Sequence, residues 1–174
     1  MQPTVHARLD EELFLHGAAA NRMFGVLKSG APVCVTVTLL DGLVLARAAF
    51  KHSMNYRSVV ILGKAREVVD AAEKRRAQRV LVERVMPGRA AVVRAPNERE
   101  LDAAIVLSVP LTEASAKIRT GPPIDAEEDY AQACWAGVLP LKLTAQAPVP
   151  DPHLPAGMPA PESLRSWSRT TGRS

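Results

Sequence analysis

The chain has 174 residues, 47% of them hydrophobic and 23% charged, which is enough apolar material for one core and one compact domain. Lys+Arg 22 against Asp+Glu 18 leaves a net charge of +4 with no dense basic block, and aromatic residues make up only 4%, so nucleic-acid bases would find no ladder of rings and cations to stack on. No apolar run is long enough to cross a bilayer and no charged-then-apolar leader follows Met1, which predicts a cytoplasmic protein with neither membrane nor nucleic-acid partners.

The first elements are a hairpin and a short helix. Thr4 to Arg8 and Glu12 to His16 read as strands joined at Leu9-Asp10-Glu11, because apolar and polar residues roughly alternate across a polar connection. After Gly17 the period lengthens. Met23, Phe24 and Leu27 share a helical face, and Lys28 with Gly30 supplies the stop. Val33 to Leu40 and Leu43 to Ala49 then flank Asp41-Gly42, a pair suited to the positive torsions of a two-residue hairpin turn. Cys34 sits in the apolar run VCVTVTLL, where a thiol acts as a small hydrophobe.

A polar stretch, KHSMNYR, separates this predicted hairpin from VVILGKAREVV, whose Gly63 marks a bulge or a close backbone approach. Asp70 with Glu73 has the spacing of a capping box and opens a helix that runs to Met86-Pro87-Gly88. Its apolar face is Ala72, Val80, Leu81 and Val85, with Lys74, Arg75, Arg76 and Arg79 facing water or a partner. A second box, Asn97 with Glu100, opens a shorter helix before strands at Ile105 to Val109 and Ser115 to Thr120. Gly121-Pro122-Pro123 turns the chain, and Trp135 to Leu143 adds a strand that Pro140 confines to an edge or a bulge. These elements predict an α+β fold, an antiparallel barrel with flanking helices over residues 1–147, followed by a proline-rich tail at 148–174.

Four segments, HGAAANRM (His16 to Met23), Ala31 to Ala65, EASAKIRTGPP (Glu113 to Pro123) and WAGVLPL (Trp135 to Leu141), stand in the same order as in a known family. In them the chain resembles the pyridoxamine 5′-phosphate oxidase-like proteins, in the flavin-nucleotide-binding branch that includes nitroimidazole-resistance reductases. The resemblance implies an FMN-binding split β-barrel, a homodimer with FMN at the subunit interface, and an oxidoreductase acting on a small-molecule substrate. It also implies a helix and a first strand ahead of the segment that begins at Pro3. Either the start lies upstream, or the barrel lacks a strand.

By the same resemblance His16, Gly17, Asn21 and Arg22 hold the FMN phosphate, and the chemistry agrees: a guanidinium fork, small residues and a helix start all suit a phosphate. From the residues alone, without the resemblance, the segment reads rather as a Gly-Ala turn with Asn21 as a plain helix cap and Arg22 in solvent. The resemblance lays Ser53, Met54, Asn55, Tyr56, Arg57 and Ser58 along the flavin ring, where donors would face the N1/C2 edge and Met54 or Tyr56 the apolar face. Otherwise they form a solvated hairpin loop. Trp135 matches an aromatic that reaches the FMN of the opposite subunit, its plainer role being core packing. Lys117 and Arg119 would share a strand face and meet an anion or open solvent. The four scattered histidines and the two cysteines, Cys34 and Cys134, show no metal-ligand spacing. No residue stands out as a catalytic acid or base. A non-catalytic protein carrying flavin, or a related planar cofactor such as haem, is the alternative from another class.

Overall fold

The computed structural model describes residues 2–165 and 167. In chain order the strands are β1 (His6–Leu9), β2 (Glu12–Ala18), β3 (Pro32–Leu45), β4 (Ser53–Lys64), β5 (Arg66–Glu67), β6 (Ala104–Pro110), β7 (Glu113–Arg119) and β8 (Gly137–Pro140). The helices are α1 (Arg22–Lys28), α2 (Ala71–Val85), α3 (Glu98–Ala103) and α4 (Glu162–Arg165). This is an α+β chain with two antiparallel four-stranded sheets, ordered β1-β2-β6-β5 and β7-β4-β3-β8. The chain divides into two compact units, residues 1–35 with 61–114 and residues 36–60 with 115–174.

The first unit is organised around β6, whose residues from Ala104 to Val109 are all buried. A strand covered on both faces needs apolar residues at every position, which is why this one reads as a continuous run rather than an alternation. On one side β2 pairs with it from Glu12↔Pro110 to Ala18↔Ala104, and on the other β5 pairs through Arg66↔Ser108 and Glu67↔Leu107. The expected β1–β2 hairpin is present and closes at Leu9↔Glu12. Asp10 takes φ 54° in that turn, a torsion that short polar side chains tolerate better than most. Phe14, Val68, Ala77 and Val106 form a buried cluster against which Leu9 packs.

Helix α2 begins at the expected cap, with the Asp70 carboxylate accepting from Glu73 N at 2.8 Å. The reciprocal half of the box is replaced. Glu73 turns to the Arg66 guanidinium at 2.7 and 3.2 Å, and Arg66 also reaches Glu12. Arg66 thereby ties β5 to both α2 and β2, and its two carboxylate partners raise its pKa. The buried stripe of α2 is Ala77 and Leu81, one turn apart, whereas Ala72 and Val85 are exposed. The second box, at α3, is complete in both directions.

The second unit corrects the predicted Asp41-Gly42 hairpin: β3 runs straight through these residues. Gly42 has no positive φ, and it pairs with Pro140 of β8. A Cβ there would lie 3.0 Å from Val138 Cγ1 and 3.1 Å from the Leu139 carbonyl oxygen, so this glycine admits a neighbouring strand instead of turning the chain. Asp41 is held extended by the Arg57 fork from β4. Strand β8 is an edge, as Pro140 requires. KHSMNYR is not an inter-strand loop either. A 3₁₀ turn takes Ala49–Lys51, and β4 starts at Ser53. At Gly63 neither a bulge nor a close approach is needed, since a Cβ would meet Val109 at an ordinary 3.6 Å.

Cys34 and Cys134 are both exposed, so Cys34 is not the buried hydrophobe its neighbours suggest. Past Pro140 the chain is mostly exposed and irregular, with hydrogen-bonded turns at Asp151–Leu154 and Pro155–Met158 before the single turn α4. The predicted tail at 148–174 is described as far as residue 165 and at 167, and the rest of it lies outside the described residues.

Candidate functional site

Successive residues of a strand point to opposite faces, and this separates His16 from Gly17. A Cβ on Gly17 would lie 2.8 Å from the Phe24 ring. Gly17 is therefore the position that lets α1 lay its buried Phe24 on β2. Asn21 caps α1, its side-chain oxygen accepting from Met23 N at 2.9 Å and Phe24 N at 3.4 Å, while Nδ2 donates to Gln2 Oε1. Arg22, in the first turn, is exposed and forms no ion pair among the described residues.

His16 points the other way, onto the wall of a cavity of about 940 Å³ that lies wholly within the first unit. Leu81, Val82 and Val85 of α2 and Val93 from the segment after it give this cavity an apolar lining. Three guanidinium groups, the Gln78 amide and the Glu100 carboxylate also line it. Arg75 pairs with Glu98, and Arg94 engages Glu100 with both terminal nitrogens, at 2.7 and 2.5 Å. Arg79 stands one turn before Glu83, whose carboxyl the Gly88 and Ala90 backbone N–H groups, and after them the Arg79 charge, hold below the ordinary range. Desolvation against the wall, followed by the positive charge of Lys74, holds the His16 imidazole below the usual histidine range. His16 is therefore neutral near pH 7 and has a ring nitrogen available.

In the second unit the residues Ser53 to Ser58 lie on β4 and divide between its faces. Asn55 is buried. Its Nδ2 donates to the Gly121 carbonyl at 3.0 Å and its Oδ1 accepts from Arg119 at 2.7 Å. Arg57 clamps Asp41 bidentately at 2.9 and 2.7 Å, and this fork holds the Asp41 carboxyl below its ordinary range. The Ser58 and Thr38 hydroxyls lie 2.8 Å apart. Arg47 meets Asp125 at 3.1 Å and its guanidinium stands 5.1 Å from the Tyr130 ring centroid. Burial opposes the Asp125 charge, but the Arg47 side chain and the Arg47 and Ala48 backbone N–H groups together keep its pKa low. Trp135 is 69% exposed, with its ring over Gly137, where a Cβ would lie 2.9 Å from it.

The pyridoxamine 5′-phosphate oxidase family matches residues 1–118. The chain belongs to this family. It is 40% identical to the flavocytochrome Anf3 from Azotobacter vinelandii, with a TM-score of 0.89 over 96% of this chain and 78% of that one. It is 38% identical to the FAD and heme binding protein from Mycobacterium smegmatis, with a TM-score of 0.90 over 94% of this chain and 80% of that one. A protein from Bacteroides thetaiotaomicron assigned to 5-nitroimidazole antibiotic resistance shares the fold at 21% identity, with a TM-score of 0.52 over 66% of each chain. Among curated proteins none matches.

Within the family frame, the structure divides the expected site residues by what their polar atoms already do. Gly17 and Asn21 have local tasks at the start of α1, and Asn55, Arg57 and Ser58 brace β4. Arg22, Ser53, Met54, Tyr56 and Trp135 have no such bond among those described above. Core packing does not account for a tryptophan as exposed as Trp135. Arg75, Arg79 and Arg94 around the cavity were missed as a group. The spacing of four between Arg75 and Arg79 put both on one helical face, but nothing local joined them to His16. Among the described residues no three His, Cys, Asp or Glu side chains gather as a metal site, and no helix is long and apolar enough to cross a membrane.

Proposed function

We propose that this protein is a flavin-dependent oxidoreductase of the pyridoxamine 5′-phosphate oxidase family, a split-barrel homodimer that binds FMN at its subunit interface and acts on a small molecule. The observation that carries the reading is the likeness, at 40% and 38% identity over nearly the whole chain, to two proteins whose names join a flavin with a haem. A bound flavin would supply exchange of electrons between a reduced donor and an acceptor, while the protein binds and orients.

The residues of this chain fit such a group. In the first unit, Arg22 offers a guanidinium with no internal partner to a phosphate. In the second, Met54 and Tyr56 offer apolar surface to a planar ring, Ser53 a hydroxyl, and Trp135 an exposed indole to a ligand held by the other subunit. Asn55, Arg57 and Ser58 set the strand that carries them. His16, assigned to the phosphate by the resemblance, lines the first unit's cavity.

The test is to saturate the purified chain with FMN and separately with FAD, release the flavin by heat, and identify it by mass. The expected outcome is one tightly held FMN per chain in a dimer, with Arg22→Ala weakening it about tenfold, the scale of one lost charge-assisted contact. A parent chain that retains neither flavin ends the reading. Retention of FAD alone corrects the cofactor and keeps the class.

A further inference from the structure

The cavity of the first unit takes no part in the flavin assignment. Its volume of about 940 Å³ falls within the roughly 300–1,000 Å³ of ligand-sized pockets. Leu81, Val82, Val85 and Val93 give it apolar walls, and Val85 and Val93 are exposed there, so a ligand would remove apolar surface from water. The charges around it are matched within the protein. Arg75 is held by Glu98, Arg94 by Glu100, and Arg79 acts on Glu83. Lys74, whose charge reaches His16, is not part of the lining. An anion entering the cavity would therefore compete with a carboxylate for each guanidinium.

Two neutral polar groups remain on the lining, the His16 ring and the half-buried Gln78 amide. Neither side chain makes a hydrogen bond among the described residues. Both are amphoteric, since a neutral imidazole has one donor and one acceptor nitrogen and a primary amide carries both functions. A pure hydrocarbon would cover Gln78 and leave its amide unsatisfied, and a sugar would set hydroxyl groups against the valines. We propose that this cavity binds a neutral aromatic molecule of the quinone and hydroquinone class, its ring against Leu81, Val82, Val85 and Val93 and its oxygens hydrogen-bonded by Gln78 and His16. A quinone oxygen accepts, whereas a hydroquinone oxygen also donates, so amphoteric partners hold either form. The inference rests on the first unit alone and is independent of the flavin reading.

The experiment is a titration of the full chain with a naphthoquinone methylated at both free positions of its quinone ring, which gives the exposed Cys34 and Cys134 thiols no ring position to attack. Dimethylnaphthalene, the same ring system without oxygens, is the control. Binding is measured by equilibrium dialysis and by the side-chain amide resonances of the glutamines. Saturable uptake of one quinone per chain is expected, about tenfold or more tighter than the hydrocarbon. The Gln78 resonance, identified by its loss in Gln78→Leu, should shift as the quinone binds. Gln78→Leu and His16→Ala should each weaken the quinone by about tenfold and leave the hydrocarbon within about twofold. Leucine keeps the helix propensity of α2, so Gln78→Leu carries the test if His16→Ala folds poorly. Added salt should not weaken the uncharged ligand. Equal affinity for quinone and hydrocarbon overturns the proposal, as does an unchanged quinone affinity in either folded variant, or palmitate bound more tightly than quinone with an affinity that falls with salt. Flavin is followed in the same samples. Flavin without quinone removes this inference and leaves the proposed function standing, while quinone bound through Gln78 without flavin does the reverse.

Discussion

The two units are stabilised by different means. In the first, a central strand is buried along nearly its whole length, a helix seals Ala77 and Leu81 onto the sheet, and the ion pairs of Arg66 lie at the periphery. In the second, β7 is exposed at every position but its last, and large apolar side chains such as Ile118 and Leu139 face outward. Its side-chain polar contacts tie strands to one another and to the connecting segments: Arg57 on Asp41, Asn55 on Gly121 and Arg119, and Arg47 on Asp125. Hydrophobic burial is non-directional and sums over a whole surface, whereas paired polar groups fix register but contribute little net free energy each. A sheet specified by pairs and left with exposed apolar side chains is suited to being covered by something else, and the proposed homodimer would do so.

The largest expected contrast comes from one apolar truncation in each unit. Leu107→Ala in β6, where Leu107 is 0% exposed, should cost about 2–5 kcal/mol in urea unfolding. Ile118→Ala in β7, at 65% exposure, should change the stability of the monomer by about 0.5 kcal/mol or less. A large loss at both positions would erase the distinction. An Ile118→Ala variant that unfolds like the parent but dimerises more weakly would show what covers that sheet. Gly17→Ala tests the same core from the opposite direction. Its methyl group would meet the buried Phe24 ring, and overpacking of this kind costs about 1–3 kcal/mol.

For the second unit the corresponding break is polar. Asn55→Ala removes a side chain that satisfies the Gly121 carbonyl and receives Arg119. Leaving those partners unsatisfied should cost about 1–3 kcal/mol, and protection from hydrogen exchange should fall near Gly121. If Asn55→Ala is neutral, the second unit does not depend on its pairs.

The same contrast explains what could be read from the sequence. Elements with a local signal were legible: the β1–β2 hairpin, the caps at Asp70, Asn97 and Asn21, and the glycine stop at Gly30, which takes φ 86°. Asp41-Gly42 misled because a glycine that admits a neighbouring strand and a glycine that turns a chain look alike until the strand is known, and β8 lies almost a hundred residues further on. His52 to Ser58 read as a loop because their polar groups are matched by distant partners, Asp41, Thr38 and Arg119. Of the candidate site, the family motifs pointed to Arg22, which makes no ion pair among the described residues, and to Trp135, whose indole is 69% exposed although its ring lies over Gly137. The cavity escaped notice because His16 meets α2 and the segment after it only through the fold.

The smallest effect is in the charges at the edge of the first unit, and its sign follows from Glu100. The Arg94 fork, with the Asn97 backbone N–H, pulls its carboxyl from the ordinary 4.5 down to about 2. A carboxyl whose folded pKa lies below its unfolded value adds stability above the unfolded value, and that stability is lost as pH falls through the folded one. Stability should therefore decline as pH drops from about 4.5 toward about 2. Glu100→Gln should flatten that decline, because glutamine can keep the capping box while the ion pair with Arg94 is gone. Since the pair is exposed, added salt should shrink the difference between variant and parent. A decline equally steep in Glu100→Gln would move the acid sensitivity elsewhere, to Asp125 first. The polar pairs of the second unit would then govern stability at low pH as they govern register near neutrality.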